Sequence, residues 1–489
     1  MKTTAVRLYG ARDLRVETFD LPELGDGEIL MRVVADSLCA STYKAVIQGT
    51  AHKRVPPDIA EHPVIIGHEM CGDIVAVGSK LTDKWKVGQR VVIQPALKLE
   101  NNYDPGYSYR WIGGDTLYAV VPEVVLERGC LLPYAGDSYY KGALVEPIGC
   151  VLRAFKGMYH TDYTNYHRTD GAKRGGRLAI LGGAGPMGLA AVELAVHYAG
   201  CAQVVVTDLN QDRLDYAAGK CSPEAAKAAG CELVYCNTSG VADPVKMLLE
   251  LSDGGFDDVM VMVPVAGLLT MAEKIARFDG CINFFAGPAV HDLEGSLNLY
   301  RVHYDGIHLV GTAGSIPEDT VETIDLIERG VINPGVMVSH ILGMRLFPTR
   351  FTQWSMQTAQ RRSATTRLIF LWLRSPISPN SARPIPSMLV WTSWSSLTAT
   401  SGVPKPKPIS FPTQSGFLSE GEDLGALPRT LFKRLFEKSL LKISKNFPPR
   451  AGFCMESRPW GKFLKVLRGD SCFATVNSEA LLLSKKFPK

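Results

Sequence analysis

The chain has 489 residues, room for roughly two to four domains, and its 46% apolar and 21% charged residues are typical of globular rather than disordered proteins. The charge is unevenly divided. Residues 1–342 hold 30 Lys/Arg against 42 Asp/Glu, a net of −12, whereas residues 343–489 hold 23 against 7, a net of +16. This asymmetry disfavours one uniform globular chain.

Cysteine usage and apolar runs narrow the class of protein further. The 11 cysteines are scattered, which disfavours a secreted domain held together by disulfides. The N-terminus lacks a signal-peptide core, and no run of about 18 apolar residues predicts a transmembrane helix. We therefore expect a cytoplasmic protein with no membrane partner.

Residues 1–150 have the pattern of a β-rich domain. Short apolar runs are bounded by Gly, Pro and Asp, as expected of strands separated by turns. The predicted strands are Ile29–Val34, Asp73–Val77 and Arg90–Ile93.

Residues 151–315 alternate strands with helices, which is the pattern of a parallel, doubly wound sheet. A strand, a glycine-rich turn, an Ala-rich helix and a second strand form its first βαβ unit. The predicted strands are Arg177–Leu181, Gln203–Asp208, Asp258–Met262, Cys281–Phe285 and His308–Gly311, and the Ala-rich helix is predicted at Met187–Tyr198. A further, amphipathic helix is predicted just after this part, at 317–330.

The turn Gly183-Ala-Gly185-Pro186-Met187-Gly188 fits the G-x-G-x-x-G pattern of dinucleotide-binding turns. Its glycines let the backbone approach a pyrophosphate, which the following helix N-terminus stabilises. Asp208 ends the next strand, where it can accept hydrogen bonds from the adenosine ribose and would repel a 2′-phosphate. The pattern favours NAD over NADP, although Arg213 downstream softens that preference.

Side chains that bind metals occur at three places in the β-rich part: Cys39, the pair His68-Glu69, and Glu146. One thiolate, one imidazole and one carboxylate suit Zn²⁺ with a position left open for water or substrate. Taken singly, a buried cysteine or an exposed histidine is the simpler interpretation. The spacing along the chain does not prove that these residues meet.

The segment Gly67-His68-Glu69, with Gly72 and Gly78 after it, resembles the signature of the zinc-containing medium-chain dehydrogenases/reductases, which include the alcohol and polyol dehydrogenases. The resemblance covers about residues 1–342. It implies an α/β fold in which a GroES-like, β-rich catalytic domain precedes a Rossmann NAD(P)-binding domain. The implied divisions are 1–150 for the catalytic domain, 151–315 for the Rossmann domain and 316–342 for the start of the return to the catalytic domain.

The resemblance also implies a role for each matching residue. Cys39, His68 and Glu146 would bind one catalytic zinc, and Glu69 matches the acid beside the ligand histidine, an outer or exchangeable ligand. Ser41 matches the hydroxyl that bonds the substrate oxygen and starts a proton relay. The implied cofactor-binding residues are Gly183, Gly185, Pro186, Met187, Gly188, Asp208 and Arg213.

Two features depart from the family pattern. Many members hold a second, structural zinc on four closely spaced cysteines, but residues 90–129 contain no cysteine and Cys130 stands alone. We therefore expect no structural zinc. Lys44 occupies the position where alcohol dehydrogenases often carry a relay histidine, so we include it among the catalytic candidates and leave the end of the relay open.

Cationic side chains in this part of the chain suggest a phosphorylated substrate. Lys53, Arg54 and Arg110 are candidate phosphate ligands, with a solvated surface loop as the alternative interpretation. The local sequence here resembles the L-sorbose 1-phosphate reductase group of the polyol dehydrogenases. This implies interconversion of L-sorbose 1-phosphate and D-glucitol 6-phosphate, with a general sorbitol, threonine or alcohol dehydrogenase as the alternative. The resembling segments are 37–44, 52–56 and 105–115.

Residues 343–489 match nothing in the family. No Asp or Glu occurs from Gly343 to Ser419. A frameshift or an erroneous gene fusion is the favoured interpretation of this atypical, poorly ordered basic tail, and a genuine extension that binds nucleic acid is the less favoured one. An incomplete catalytic domain would leave an inactive nucleotide-binding relic. The family otherwise implies a homodimer or homotetramer, if the C-terminus permits it.

Overall fold

The computed structural model describes residues 1–288 and 290–342, and beyond them four strands at 368–371, 452–458, 461–468 and 471–477. The chain divides into two units, Met1–Pro376 and Ile377–Lys489. Because only these four strands are described beyond residue 342, most of the predicted atypical tail, 343–489, lies outside the described residues. None of the described helices combines the length and the apolar character that a bilayer span requires.

The first unit begins with a β-rich part, as the sequence predicts. Its strands are β1 (Lys2–Gly10), β2 (Asp13–Asp20), β3 (Ile29–Ser37), β4 (Val64–Ile65), β5 (Met70–Val77), β6 (Arg90–Ile93), β7 (Tyr118–Val121) and β8 (Leu131–Pro133). Burial alternates along β3 from Ile29 to Val34, as expected of a strand with one face on a core. The sheets run β2-β1-β4 and β3-β5-β6-β8, and β7 also pairs with β3.

Four helices accompany these strands. They are α1 (Ala40–Gln48), α2 (Glu123–Glu127), α3 (Tyr139–Ala143) and α4 (Val145–Gly157). The predicted boundary at residue 150 falls inside α4. Hydrophobic residues of this helix, such as Leu152 and Phe155, share one apolar cluster with Leu178 and Leu189 of the following part of the chain. Helix α4 therefore contributes to the core of the second part as well.

The second part is a six-stranded parallel sheet with helices in its connections. A hairpin, β9 (Tyr159–Asp162) and β10 (His167–Asp170), precedes it. Its strands are β11 (Arg177–Leu181), β12 (Gln203–Asp208), β13 (Glu232–Asn237), β14 (Phe256–Val261), β15 (Ala276–Phe284) and β16 (His308–Gly311). Its helices are α5 (Pro186–Leu194), α6 (Gln211–Lys220), α7 (Pro223–Ala228), α8 (Pro244–Leu251), α9 (Ala266–Ile275), α10 (Leu299–Tyr304) and α11 (Pro317–Glu328). The strand order β13-β12-β11-β14-β15-β16 is that of the doubly wound fold predicted from the sequence.

The turn between β11 and α5 requires glycine at its end. A Cβ atom on Gly188 would lie 1.9 Å from the carbonyl oxygen of Gly183, so the helix can pack this closely on the turn only without a side chain there. This close approach explains the third glycine of the predicted motif.

We expect Gly188→Ala to lower the free energy of unfolding by about 1–3 kcal/mol, since overpacking forces the backbone apart. Gly219→Ala is the matched control, because Gly219 lies in α6 with nothing within 4 Å of the added Cβ. It should raise stability by about 0.5–1 kcal/mol, since alanine favours the helix. Urea unfolding of the full chain measures the free energy of unfolding of both variants. If both variants changed it by the same amount in the same direction, the close contact at Gly188 would not be what requires glycine there.

After α11 the chain returns to the sheet that contains β3. Strand β17 (His340–Leu342) pairs in parallel with β18 (Leu368–Leu371), and β18 pairs antiparallel with β3. In the second unit, the described strands β19 (Gly452–Arg458), β20 (Gly461–Arg468) and β21 (Ser471–Asn477) form an antiparallel sheet in that order.

Candidate metal and cofactor site

Cys39 and Ser41 lie where β3 gives way to α1. Strand β3 ends at Ser37, and Cys39 is the N-cap residue of α1 with an extended backbone. Ser41 follows in the first turn, and its Oγ lies 3.0 Å from Cys39 Sγ as a hydrogen-bond donor. The end of a strand and the start of a helix thus fix the thiol and the hydroxyl side by side.

His68 and Glu69 lie between β4 and β5, and both are buried. The preceding Gly67 has φ +86°, and a Cβ atom there would lie 2.6 Å from Asp36 Oδ2 and 2.7 Å from the backbone nitrogen of Asp115. Glycine is therefore required for the chain to turn inward at this point. Asp36 Oδ1 accepts a hydrogen bond from the backbone N–H of Glu69 at 2.9 Å, which holds the turn.

Cys39, His68 and Glu69 form a cluster of metal-binding side chains. Their ligand atoms all lie within 4.8 Å of one another, and no other such group of three occurs among the described residues. His68 Nδ1 lies 3.1 Å from Thr42 Oγ1. If Nδ1 donates to this hydroxyl, Nε2 presents its lone pair on the other side of the ring. Sulfur, nitrogen and oxygen donors in this number fit a zinc ion.

Glu146, predicted as the carboxylate ligand, lies outside that 4.8 Å cluster. It sits in the first turn of α4, where its Oε1 accepts a hydrogen bond from Cys150 Sγ at 3.4 Å. Burial raises the pKa of Cys150 far above its usual range, and the charges of Glu146, Cys39 and Glu69 raise it further. Cys150 is therefore within electrostatic reach of both Glu146 and the cluster, and the role of Glu146 as a ligand stays a prediction.

Tyr107 is a site residue that the sequence analysis missed. Its Oη lies 2.7 Å from Ser41 Oγ and 3.1 Å from His68 Nε2. Burial raises the pKa of Tyr107 well above its usual value, so the phenol keeps its proton. Tyr107 is separated from Ser41 by 66 positions. It lies in the segment 105–115, whose resemblance to the sorbose phosphate reductase group was noted, but the sequence analysis assigned it no role.

Three of the predicted cations lie near His52. The pKa of His52 is lowered to about 4, mainly by burial and in addition by the charges of Arg54, Lys53 and Lys44. Lys53 is exposed, whereas the Arg54 Nε lies 2.6 Å from Asp104 Oδ2 in an ion pair. The neighbourhood of His52 is therefore positively charged while the imidazole itself stays neutral near pH 7.

Lys44 and Arg110 each make a further contact, and their predicted roles stay predictions. Lys44 Nζ donates a hydrogen bond at 2.7 Å to the carbonyl oxygen of Gly287, in the loop after β15. It thus links α1 to the carboxyl edge of the parallel sheet. Arg110 is exposed, with its guanidinium 5.2 Å from the ring of Trp111. The pKa of Arg7 in β1 is lowered mainly by burial, and the positive charge of Arg110 contributes to that lowering.

The glycine turn and Asp208 lie at the carboxyl ends of neighbouring strands. Gly185 is the N-cap residue of α5 and Pro186 its first residue, so the helix N-terminus begins directly after the turn. Asp208 ends β12, where Oδ1 accepts hydrogen bonds from the backbone N–H groups of Leu209 at 2.8 Å and Asn210 at 3.2 Å. Arg213 Nη1 lies 3.4 Å from the same oxygen. This edge of the sheet is where doubly wound folds bind dinucleotides.

Two family descriptions match the chain. Residues 25–128 match the alcohol dehydrogenase GroES-like domain, and residues 186–329 match the zinc-binding dehydrogenase domain. The first contains Cys39, His68 and Tyr107, and the second begins inside the glycine turn.

Relatives with described activities cover most of the same length. The chain is 44% identical to the L-sorbose 1-phosphate reductase of Klebsiella pneumoniae over 345 residues, which are 70% of this chain and 83% of that protein. It is 43% identical to the mannitol-1-phosphate 5-dehydrogenase of Aliivibrio fischeri over 349 residues, 71% of this chain and 82% of that protein. The 2R,3R-butanediol dehydrogenase of Bacillus subtilis has the same fold, with a TM-score of 0.61 at 20% identity over 76% of this chain and 99% of its own.

Proposed function

Because this chain belongs to the zinc-dependent alcohol and polyol dehydrogenase family, we propose that it transfers hydride between a nicotinamide dinucleotide and a sugar phosphate, interconverting L-sorbose 1-phosphate and D-glucitol 6-phosphate. The observation that carries this proposal is the cluster of Cys39, His68 and Glu69, on the domain that Lys44 links to the cofactor edge of the parallel sheet. The names of the two sugar-phosphate relatives support the substrate class.

Cys39, His68 and a carboxylate, Glu69 or the more distant Glu146, would hold one zinc ion. When bound, zinc supplies a Lewis acid for the substrate oxygen, and the nicotinamide supplies or accepts the hydride. Thr42 fixes the ring of His68 through Nδ1. Ser41 presents a hydroxyl beside both donor atoms, 3.0 Å from Cys39 Sγ and 3.3 Å from His68 Nε2, where it can give a proton to the reduced oxygen or take one from an alcohol.

The cofactor would lie against the turn at 183–188 with its adenosine ribose at Asp208. A buried carboxylate at the end of β12 favours the two ribose hydroxyls of NAD and disfavours a 2′-phosphate. NAD is therefore our proposed cofactor, and we propose one catalytic zinc without a structural one. The cytoplasmic location and the dimeric or tetrameric state stay predictions.

The substrate phosphate would bind near His52. Lys44, Lys53 and Arg54 all lie close enough to lower the pKa of this histidine, so their combined positive potential favours a dianion there. Arg54 already pairs with Asp104, which leaves the exposed Lys53 better placed than Arg54 to meet a phosphate. Arg110, whose charge acts on Arg7 in β1, remains the least supported of the predicted phosphate ligands.

A substrate screen of the full chain tests this proposal. NADH and NADPH oxidation would be measured with L-sorbose 1-phosphate, with free L-sorbose and with other ketose phosphates, and NAD reduction with free sorbitol. We expect the phosphorylated ketose to exceed the free one in kcat/KM by about 10- to 100-fold, the effect of one or two charge-assisted hydrogen bonds. Equal activity on free polyols would favour a general polyol dehydrogenase, and no turnover on any substrate would favour a non-catalytic relic.

A further inference from the structure

We propose that Tyr107 is a positioning residue for Ser41: its hydroxyl donates a hydrogen bond to Ser41 Oγ and thereby turns the serine proton toward the substrate oxygen. This inference rests on the proposed function and adds to it a residue to which the sequence analysis assigned no role. It rests on the 2.7 Å separation between Tyr107 Oη and Ser41 Oγ, next to the cluster of Cys39, His68 and Glu69.

The direction of the hydrogen bond follows from the number of protons available. Ser41 Oγ lies within hydrogen-bond distance of Cys39 Sγ, His68 Nε2 and Tyr107 Oη, and each hydroxyl has a single proton to donate. Once His68 Nε2 gives its single lone pair to a metal, it can accept no hydrogen bond. Of the two groups within reach of Tyr107 Oη, Ser41 is then the acceptor that remains. The serine's own proton can then go to the substrate oxygen, with Cys39 Sγ as its acceptor when no substrate is bound.

Two neighbouring side chains hold the ring of Tyr107 in place. It stacks on the imidazole of His52 with ring centroids 5.8 Å apart and planes inclined by 8°. The guanidinium of Arg54 lies 5.1 Å from its centroid, and the ion pair with Asp104 holds that guanidinium in place. A cation near an aromatic face is attracted by the ring's quadrupole, which adds to the packing contact. The phenol therefore has little freedom to move away from Ser41.

The backbone before Tyr107 is fixed against the metal-binding segment. Gly106 has φ +79°, and a Cβ atom there would lie 2.0 Å from the carbonyl oxygen of Gly67, the residue before His68. Ser108 Oγ donates to the carbonyl oxygen of Arg54 at 2.6 Å and accepts from the backbone N–H of Asp104 at 3.0 Å. The loop thus carries the tyrosine and packs directly on the histidine ligand. Such preorganisation is what a positioning group needs.

A double-mutant cycle with Tyr107→Phe and Ser41→Ala tests the inference. Phenylalanine keeps the ring and its contacts with His52 and Arg54 and removes only the hydroxyl. We expect kcat to fall about 10-fold in Tyr107→Phe with KM changed less than about 2-fold, and about 100-fold in Ser41→Ala. The double variant should be no slower than Ser41→Ala, because the tyrosine acts through the serine. Zinc content should be unchanged throughout.

Tyr109→Phe is the matched control, since Tyr109 lies in the same loop and packs on the apolar cluster of the β-rich part. It should retain the activity of the unaltered chain. A second cycle, on urea unfolding midpoints, needs no substrate: the loss of stability in Tyr107→Phe should be smaller in the Ser41→Ala background. Additive effects in both cycles, or an equal loss of kcat in Tyr109→Phe, would overturn the role of Tyr107. Absence of turnover in the unaltered chain would overturn the proposed function, whereas the stability cycle would still test the hydrogen bond between Tyr107 and Ser41.

Discussion

Replacing Cys39 by alanine should remove zinc from the protein and lower kcat/KM by at least about 1,000-fold. The thiolate is the only sulfur donor in the cluster with His68 and Glu69, and the two remaining donors leave a weak site. Loss of a Lewis acid removes several kcal/mol of transition-state stabilisation, which corresponds to a factor of about 1,000 or more in rate. Metal analysis and steady-state kinetics on the same sample measure both effects.

Cys236→Ala is the appropriate control for this change. Cys236 is a half-buried thiol of β13 that lies 3.9 Å from Met247 Sδ, far along the chain from the cluster. Its loss should leave zinc content and kcat unchanged. If Cys39→Ala kept its zinc or its full activity, the assignment of the metal site would be wrong.

Replacing Asp208 by alanine should reverse or abolish the preference for NAD. The buried carboxylate would bond the ribose hydroxyls, and its removal also leaves Arg213 Nη1, now 3.4 Å from Oδ1, without this partner. The guanidinium could then pair with a 2′-phosphate. We expect the ratio of kcat/KM for NAD to that for NADP to fall by about 100-fold or more, the effect of two hydrogen bonds to a charged group.

Asp212→Ala provides the comparison, because Asp212 is an exposed acid in the first turn of α6. This substitution removes one negative charge, as Asp208→Ala does, but at a residue beyond the end of β12. The ratio of kcat/KM for NAD to that for NADP should therefore change by less than about 3-fold. Equal shifts in the two variants would show that overall charge, and not the position of Asp208, sets the preference. An unchanged ratio in Asp208→Ala would remove this residue from the cofactor site.

The central strands β11 and β12 of the parallel sheet were predictable because they are almost entirely buried, whereas β13, which is only half-buried along most of its length, was not predicted. Arg177–Leu181, Gln203–Asp208 and His308–Gly311 have the predicted bounds, since Gly, Asp or a chain turn follows each apolar run. The predicted helix from Met187 to Tyr198 is regular only to Leu194 and continues to Ala199 as a π-helix. The periodicity of apolar residues in the sequence does not distinguish an α-helix from a short π-helix that continues it.

Only some members of the candidate site were predictable from the sequence, and none of the distances between them. The family pattern identified Cys39 and His68, and the structure brings their donor atoms within 4.8 Å of each other and of Glu69. Whether Glu69 or Glu146 completes a ligand set depends on where α4 packs, which local sequence does not encode. Tyr107 reaches Ser41 only because Gly106 packs on Gly67, a tertiary contact without a sequence signature.

If this chain transfers hydride to a phosphorylated ketose at a zinc site, its turnover must follow its zinc content. Oxidation of NADH by the full chain with L-sorbose 1-phosphate would therefore be followed before zinc removal, after it and after zinc is restored. We predict turnover with about one zinc per chain, its loss on removal and its recovery on restoration. Undiminished turnover in the zinc-free protein, or no turnover at any zinc content, would contradict the account.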